Sequence, residues 1–178
     1  TKVIETYFQE TASKGNTTAK NLSGFLDSVA ENEGYYIGRY EARKGETGEL
    51  TLKVTNTVYT NITQPDAATL CRNMYDSTEF DCDLMNSYAW DTATLFLQTC
   101  GEDNPTPYSR QNSVNNGSLA STGTNNQDTK DVQCNVYDMA SNIFEWTTET
   151  CSNSSNPVVD RGGRSNDSIY YTSFRGTI

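Results

Sequence analysis

The tract between residues 102 and 131 constrains the fold of this 178-residue chain more than any other feature. It consists almost entirely of Asn, Ser, Thr, Gly, Asp and Gln, with Pro105 and Pro107, so it offers few apolar side chains to a core. A loop of this length is uncommon in a compact domain and is usually functional or disordered. We therefore expect the regular structure to lie on either side of it.

Two helices are predicted on the N-terminal side of this tract. The first starts at Thr63, which is placed as the cap, with Pro65 in the first turn and Asp66 returning the capping contact. Its apolar stripe is formed by Ala67, Leu70, Cys71 and Met74. The second helix starts near Ser87 and stops at Gly101. Its apolar face is formed by Trp90, Ala93, Thr94 and Leu97.

Residues 1–33 are predicted to be a polar lead-in, and residues 34–178 the folded domain. Helical spacing predicts one short amphipathic helix in the lead-in, through Leu22, Phe25, Leu26 and Val29. The aromatic segment Gly34–Ala42 predicts a strand. Alternating Leu50, Leu52 and Val54 predict a second strand. Strands, then helices, then a long loop and further short strands indicate the α+β class.

The five cysteines lie far apart and none belongs to a C-x-x-C pair, so a zinc or thioredoxin-like site is a poor interpretation. They are Cys71, Cys82, Cys100, Cys134 and Cys151. In a polar, Asn-rich chain this spacing favours one or two disulfides in an oxidising compartment, with the odd cysteine free or paired outside the chain. The alternative is five buried thiols in a cytosolic protein. The sequence does not give the connectivity.

Charge and composition exclude several classes of function. The formal net charge is −10, which argues against nucleic acid and against an anionic membrane surface. No apolar run is long enough to span a membrane, so no membrane insertion is expected. The chain has no histidine, which removes Ser-His and Cys-His catalysis and histidine-ligated iron or zinc.

The sharpest motif is Asn135–Thr147, NVYDMASNIFEWT. It resembles the Tyr-Asp-Met-x-Gly-Asn-x-x-Glu-Trp signature of the formylglycine-generating-enzyme (sulfatase-modifying factor) superfamily. Three other segments resemble further family signatures in the right order: Gly34–Glu41, Asp83–Leu97 with Trp90 on the Trp position, and Arg161–Gly163. The resemblance implies a C-type-lectin-like fold with short twisted antiparallel sheets, two helices and long loops. Trp90 and Trp146 are expected in the core.

A structural calcium ion is implied by the central motif. Asp138 and Glu145 are hard oxygen ligands, and Ser141 and Ile143 can offer backbone carbonyls between them. The resemblance implies that these four positions hold calcium in family members. Ser141 stands where the family has Gly, so a positive φ there would weaken the site. In the alternative without metal, Asp138 caps a turn and Glu145 makes a buried hydrogen bond.

Neither activity of the family is expected here. Its copper branch uses a cysteine pair after the Arg-Gly-Gly motif, but Arg164–Ile178 contains no cysteine. Its iron branch needs histidines, which are absent. We therefore expect no enzyme and no copper, iron or organic cofactor. A divergent copper- or iron-dependent oxidoreductase remains the last alternative.

The C-terminal segment has the Tyr, Ser and Asn composition of antibody-like binding surfaces. It also resembles the variable region of diversity-generating-retroelement proteins, which share the C-type-lectin fold. The candidate ligand-binding residues are Arg164, Asn166, Asp167, Ser168, Tyr170, Tyr171, Ser173 and Phe174. The 102–131 tract would complete this surface, and its partner would be a protein or glycan on a cell surface. The plain alternative is an exposed Tyr-rich hairpin that binds nothing.

The predicted function is a non-enzymatic extracellular binding domain, secreted or displayed on a bacterium, phage or archaeon. The alternative is a structural subunit or tip domain of a pilus, filament or surface assembly, with self-assembly. That alternative fits an unpaired cysteine and a chain that starts without Met. Thr172–Arg175 resembles an internal family stretch, so the last strand of the domain is expected to be missing. Alternatively, Ser173–Arg175 is itself the closing strand.

Overall fold

A computed structural model of the chain describes residues 8–9, 17–53, 58–75, 78, 80–101, 132–140, 142–152, 155–163 and 172–177. The helices in these ranges are α1 (Leu22–Asn32), α2 (Gln64–Arg72) and α3 (Ser87–Cys100). The strands are β1 (Phe8–Gln9), β2 (Arg43–Lys44), β3 (Leu50–Thr51), β4 (Val132–Gln133), β5 (Val136–Tyr137), β6 (Glu145–Cys151), β7 (Val158–Arg161) and β8 (Arg175–Thr177). The predicted α+β class is confirmed.

Each helix begins at a side chain that accepts a hydrogen bond from the first turn. Asn21 caps α1 and Asn86 caps α3, where its Oδ1 accepts from the Ala89 backbone N–H at 2.9 Å. Thr63 caps α2, and its Oγ1 accepts from the Asp66 N–H at 3.3 Å. Such caps satisfy backbone donors that have no partner within the helix. All three predicted helices, and the predicted cap of α2, are confirmed.

The main sheet has four antiparallel strands in the order β1-β6-β7-β8. Its longest strand, β6, carries a register irregularity between Trp146 and Thr150. Two small hairpins, β2-β3 and β4-β5, lie outside this sheet. Helix α2 is joined to β6 where Gln64 Nε2 donates to the Thr147 carbonyl at 3.0 Å. The segment before α3 is joined to β6 where the Thr148 N–H donates to the Met85 carbonyl at 3.1 Å.

The hydrophobic core forms between α3 and the turn that follows β5. Its buried members are Trp90, Ala93, Leu97, Met139 and Ala140, with Ile37, Met85 and Val136 packed against them. Trp90 is 2% exposed, as predicted for a core residue. Trp146 is only partly buried, and its Nε1 donates to the Ile62 carbonyl at 3.0 Å. The apolar face predicted for α3 is therefore the side of the helix that builds the core.

The predicted strand Gly34–Ala42 is wrong, because these residues have no regular structure. Two of its three tyrosines contact other parts of the chain, and the third faces solvent. The Tyr35 hydroxyl donates to the Ala89 carbonyl at 2.6 Å, and Tyr36 is 95% exposed. The Tyr40 ring lies 4.9 Å from that of Tyr137. These surroundings differ from the paired, half-buried surface on which aromatic residues favour strands.

The second predicted strand is shorter than expected. Leu50 and Thr51 form β3 and pair with β2 in an antiparallel hairpin, whereas Leu52 lies beyond the strand. Val54 and the 102–131 tract lie outside the described residues. None of the described helices is long and apolar enough to cross a membrane.

Gly162 occupies a position that only glycine fits. Its φ is +79°, in the left-handed region. A Cβ there would come within 2.9 Å of the Met139 carbonyl oxygen and 3.4 Å of the Trp90 ring. The Arg-Gly-Gly motif thus packs directly on the core because its first glycine has no side chain.

Candidate functional site

Two arginines and two carboxylates form a network of ion pairs at the adjoining ends of β7 and β8. Arg161 Nη1 lies 3.0 Å from Glu149 Oε2, and Arg175 Nε lies 2.9 Å from Glu149 Oε1. The second carboxylate, Asp91, contacts Nη2 of Arg161 through Oδ1 and Nη2 of Arg175 through Oδ2. Each arginine therefore pairs with both carboxylates. We call Asp91, Glu149, Arg161 and Arg175 the ion network.

Half of the ion network is removed from water. The Arg161 side chain is 0% exposed and that of Glu149 is 2% exposed, whereas Asp91 is 47% exposed. Burial raises the pKa of Glu149 by more than the Arg175 and Arg161 guanidiniums lower it. Arg161 also lies over the Trp90 ring, 5.6 Å from its centroid. The network links α3, β6, β7 and β8, and removing one partner of a buried ion pair is costly because it leaves an uncompensated charge.

The ion network joins β7 and β8, the two strands that residues 162–174 connect. Arg161 is the last residue of β7 and Arg175 is the first residue of β8, and their Cα atoms are partners in the sheet. Residues 162–174 therefore connect two strand ends that are held together by the same two carboxylates.

Two further contacts fix the C-terminal end of this connection. Trp90 Nε1 donates to the carbonyl of Thr172 at 2.8 Å, and Thr172 is completely buried. The Phe174 ring stacks on that of Phe144 with centroids 5.8 Å apart. Together with the ion network, these contacts hold both ends of the connection against the core.

All eight predicted ligand-binding residues fall within this connection. Those outside the described residues are Arg164, Asn166, Asp167, Ser168, Tyr170 and Tyr171. Of the other two, Ser173 is exposed, and Phe174 is partly buried by its stacking on Phe144. Phe174 therefore helps to anchor the connection, whereas Ser173 faces solvent.

Of the predicted calcium ligands, Asp138 and Ile143 lie in the turn between β5 and β6, and Glu145 is the first residue of β6. Asp138 is 3% exposed, and Ile143 and Glu145 are partly buried. Ser141 lies outside the described residues. The described ranges contain no group of three or more acidic or cysteine side chains arranged to hold a metal ion. The predicted calcium site has only two carboxylate side chains, and its other two ligands are backbone carbonyls, so it would not form a group of three such side chains.

The same turn has an unusual backbone. Asp138 has a φ of 63° and Asn142 a φ of 66°, both in the left-handed region that Asn and Asp tolerate best among residues with side chains. The Asn142 amide donates from Nδ2 to Oε2 of the buried Glu41 at 2.5 Å. This turn is thus held in a special conformation by a contact with a distant segment of the chain.

The structure brings together the four segments that carry the family resemblance. The Tyr137 N–H donates to the Arg39 carbonyl at 2.9 Å, which links the central motif to the opening segment. Gly162 lies against both Met139 and Trp90, which links the Arg-Gly-Gly motif to the central motif and to α3.

No protein-family model matches the chain, and no curated protein or solved structure matches it at a significant level. A functional proposal therefore rests on the geometry of the chain's own residues.

The ion network could not be predicted from the sequence. Asp91, Arg161 and Arg175 lie in segments that carry the family resemblance and Glu149 does not, but the resemblance implied no pairing among them. The ion pairs of the network join residues 12, 26, 70 and 84 positions apart, and no local pattern marks such pairs. The one available signal was a pair of charges, Glu149 and Arg161, placed among apolar and Thr residues in the strands around the motif.

Proposed function

We propose that the chain is a non-enzymatic extracellular domain that binds a protein or glycan ligand through residues 164–173. The scaffold is of the C-type-lectin-like, formylglycine-generating-enzyme type. The observation that carries the proposal is the pairing of Arg161 with Arg175 over the same two carboxylates. This arrangement holds both ends of the segment that has the composition of a binding surface.

Fixed ends favour binding by the segment between β7 and β8. A loop that is fixed at both ends loses less conformational entropy when its side chains engage a partner. Tyr170 and Tyr171 supply large contact surfaces with few rotatable bonds, and the neighbouring Asn166 and Ser168 supply adaptable hydrogen bonds. Binding residues are commonly carried on loops that a rigid scaffold positions.

The residues of the site argue for recognition over redox chemistry. The connection between β7 and β8 has no cysteine, and the whole chain has no histidine, so neither thiolate nor imidazole is available there to hold copper or iron. Arg161 and Arg175, at the two ends of this connection, are paired with Glu149 and Asp91 in the ion network.

We further propose a structural calcium ion at Asp138, Ser141, Ile143 and Glu145, bound through two carboxylates and two backbone carbonyls.

The proposal is tested by screening the purified domain against glycan and cell-surface-protein arrays. A second protein, in which residues 164–171 are replaced by an equal number of alternating Gly and Ser residues, is screened in parallel. We expect a ligand bound by the wild type and not by the replacement. The matched control carries Asp27→Ser and Glu31→Ser on the exposed side of α1, and it should retain the wild-type signal.

Three results would count against the proposal. Binding that survives replacement of residues 164–171 would place the ligand site elsewhere. Oxidation of a cysteine-containing peptide in the presence of copper and oxygen would restore the enzymatic alternative. Concentration-dependent filaments, formed equally by both proteins and without any array ligand, would favour the structural-subunit alternative.

A further inference from the structure

Two partly buried cysteines flank the ion pair that fastens the end of α2 to the segment before α3. Arg72 Nε lies 2.8 Å from Asp83 Oδ1. Cys71 immediately precedes Arg72, and Cys82 immediately precedes Asp83. The ion pair therefore joins the two short stretches of chain that carry these cysteines.

Residues 18–20 contact both members of this ion pair. The backbone N–H of Lys20 donates to Asp83 Oδ2 at 2.5 Å, and Arg72 Nη2 donates to the Thr18 carbonyl at 2.7 Å. Both members of the ion pair are thus tied to residues 18–20. These contacts hold the end of α2 and the segment before α3 against the same stretch of chain.

The electrostatics of the thiols agree with their proximity. Burial is the main reason that the pKa of Cys71 is raised to about 12, and the charges of Asp83 and Cys82 raise it further. A charge on Cys82 can act on Cys71 in this way only at short range. The pKa of Cys82 is also raised, first by burial and then by Asp81.

We propose that Cys71 and Cys82 form an intramolecular disulfide when the chain meets an oxidising environment. The bond would close a loop of about ten residues and would tie α2 to the segment that leads into α3. The other cysteines are placed differently. Cys151 is buried in β6, where its thiol donates to the Asn156 carbonyl at 3.3 Å, and Cys100 and Cys134 are exposed.

The oxidant belongs to the class of small-molecule disulfides, such as oxidised glutathione. The Cys82 thiolate attacks one sulfur of that disulfide and releases one glutathione thiolate, which leaves a mixed disulfide on Cys82. The Cys71 thiolate then attacks the Cys82 sulfur and releases the second glutathione. The two cysteines lose two protons and two electrons, and the oxidant is reduced to two thiols.

The environment of the thiols suits a permanent bond better than a redox switch. A thiol with a high pKa is a poor leaving group, so a reductant would break this disulfide slowly. Redox-sensing cysteines have the opposite character, with low pKa values and open access to solvent.

Peptide mapping of the wild-type protein tests the proposal without any mutation. The protein is incubated with oxidised glutathione, free thiols are blocked with N-ethylmaleimide, and the chain is digested with trypsin and chymotrypsin. Trypsin cuts after Arg72, between the two cysteines, and chymotrypsin separates Cys82 from Cys100. We expect a peptide pair joined through Cys71 and Cys82. The proposal would be overturned if Cys71 carried N-ethylmaleimide, or if it were joined to a cysteine other than Cys82.

Thermal melts give a second, independent readout. A phosphine reductant should lower the Tm of the oxidised wild type by roughly 5–10 °C. Cys71→Ser and Cys82→Ser should each show no response to the reductant. The control Cys134→Ser, which changes an exposed cysteine, should keep the joined peptide pair. A wild-type Tm that does not respond to reductant would contradict a stabilising bond.

Discussion

Arg161 and Arg175 face each other as Cα partners across β7 and β8, and each is ion-paired to both Glu149 and Asp91. Two like charges on neighbouring strands would repel each other on their own. Each of the two carboxylates lies against both arginines, and the four resulting ion pairs offset this repulsion. The strand pair that carries residues 162–174 is therefore held together where the chain leaves the sheet and where it returns.

Arg161→Ala should lower the free energy of unfolding by about 3–5 kcal/mol, because it leaves the buried Glu149 with one guanidinium fewer. Chemical denaturation at neutral pH measures this change. Arg39→Ala, which removes an exposed arginine, is the matched control and should stay within about 0.5 kcal/mol of the wild type. Equal effects of the two substitutions would show that the ion network does not stabilise the fold.

Local signals in the sequence were sufficient to predict the helices. Thr63 with Asp66, and the 3.6-residue spacing of Trp90, Ala93 and Leu97, act within one or two turns and depend little on the rest of the chain. For the C-terminal strand the sequence left two alternatives: a last strand that is missing, or a closing strand at Ser173–Arg175. The structure has Arg175–Thr177 paired with β7, so of the alternative strand Ser173–Arg175 only Arg175 lies in β8.

Features that depend on distant contacts could not be predicted. The Gly34–Ala42 segment has strand-forming composition, but the contacts of Tyr35 with α3 and of Tyr40 with Tyr137 decide its conformation. The ion network arises only after α3, β6, β7 and β8 have assembled. The calcium ligands and most of the ligand-binding surface remain predictions, because Ser141 and residues 164–171 lie outside the described residues.

Cys134→Asn should raise the free energy of unfolding by about 0.5–1 kcal/mol. Cys134 and Asn135 form the two-residue turn between β4 and β5, with φ values of 50° and 64°. Two-residue turns of this kind favour Asn followed by Gly, since most side chains strain a positive φ. Urea denaturation under reducing conditions measures the gain. Cys100→Asn, at an exposed helical position, should show no gain, and a gain there of the same size would refute the turn argument.

Stability of the reduced protein should fall as the pH rises above about 8.5, the ordinary thiol value. The pKa of Cys71 is about 12 in the folded protein, mainly because of burial, so the folded chain keeps a proton that the unfolded chain loses. The loss is at most about 1.4 kcal/mol per pH unit for one group. Urea denaturation at several alkaline pH values should show a shallower fall for Cys71→Ala. Identical slopes for the two proteins would exclude this role of Cys71.

Calcium should raise the Tm of the wild type relative to a chelator. A ligand that binds only the folded state stabilises it by about 2.7 kcal/mol at a hundredfold excess over its Kd. Asp138→Asn should abolish most of the shift, since it removes a ligand charge while Asn tolerates the φ of 63° at this position. Asp27→Asn on the exposed side of α1 is the control. A wild-type Tm that is the same in calcium and in chelator would remove the proposed site and leave the α+β fold unaffected.

The most direct test of the binding proposal compares two proteins against the ligand that the arrays identify. The dissociation constant is measured for the wild type and for the protein with Gly and Ser at residues 164–171, together with the Tm of each. We predict binding at least about a hundredfold weaker in the replacement, with a Tm close to that of the wild type, because the ion network holds the strands without the segment. Equal affinity of the two proteins would contradict the proposed binding surface.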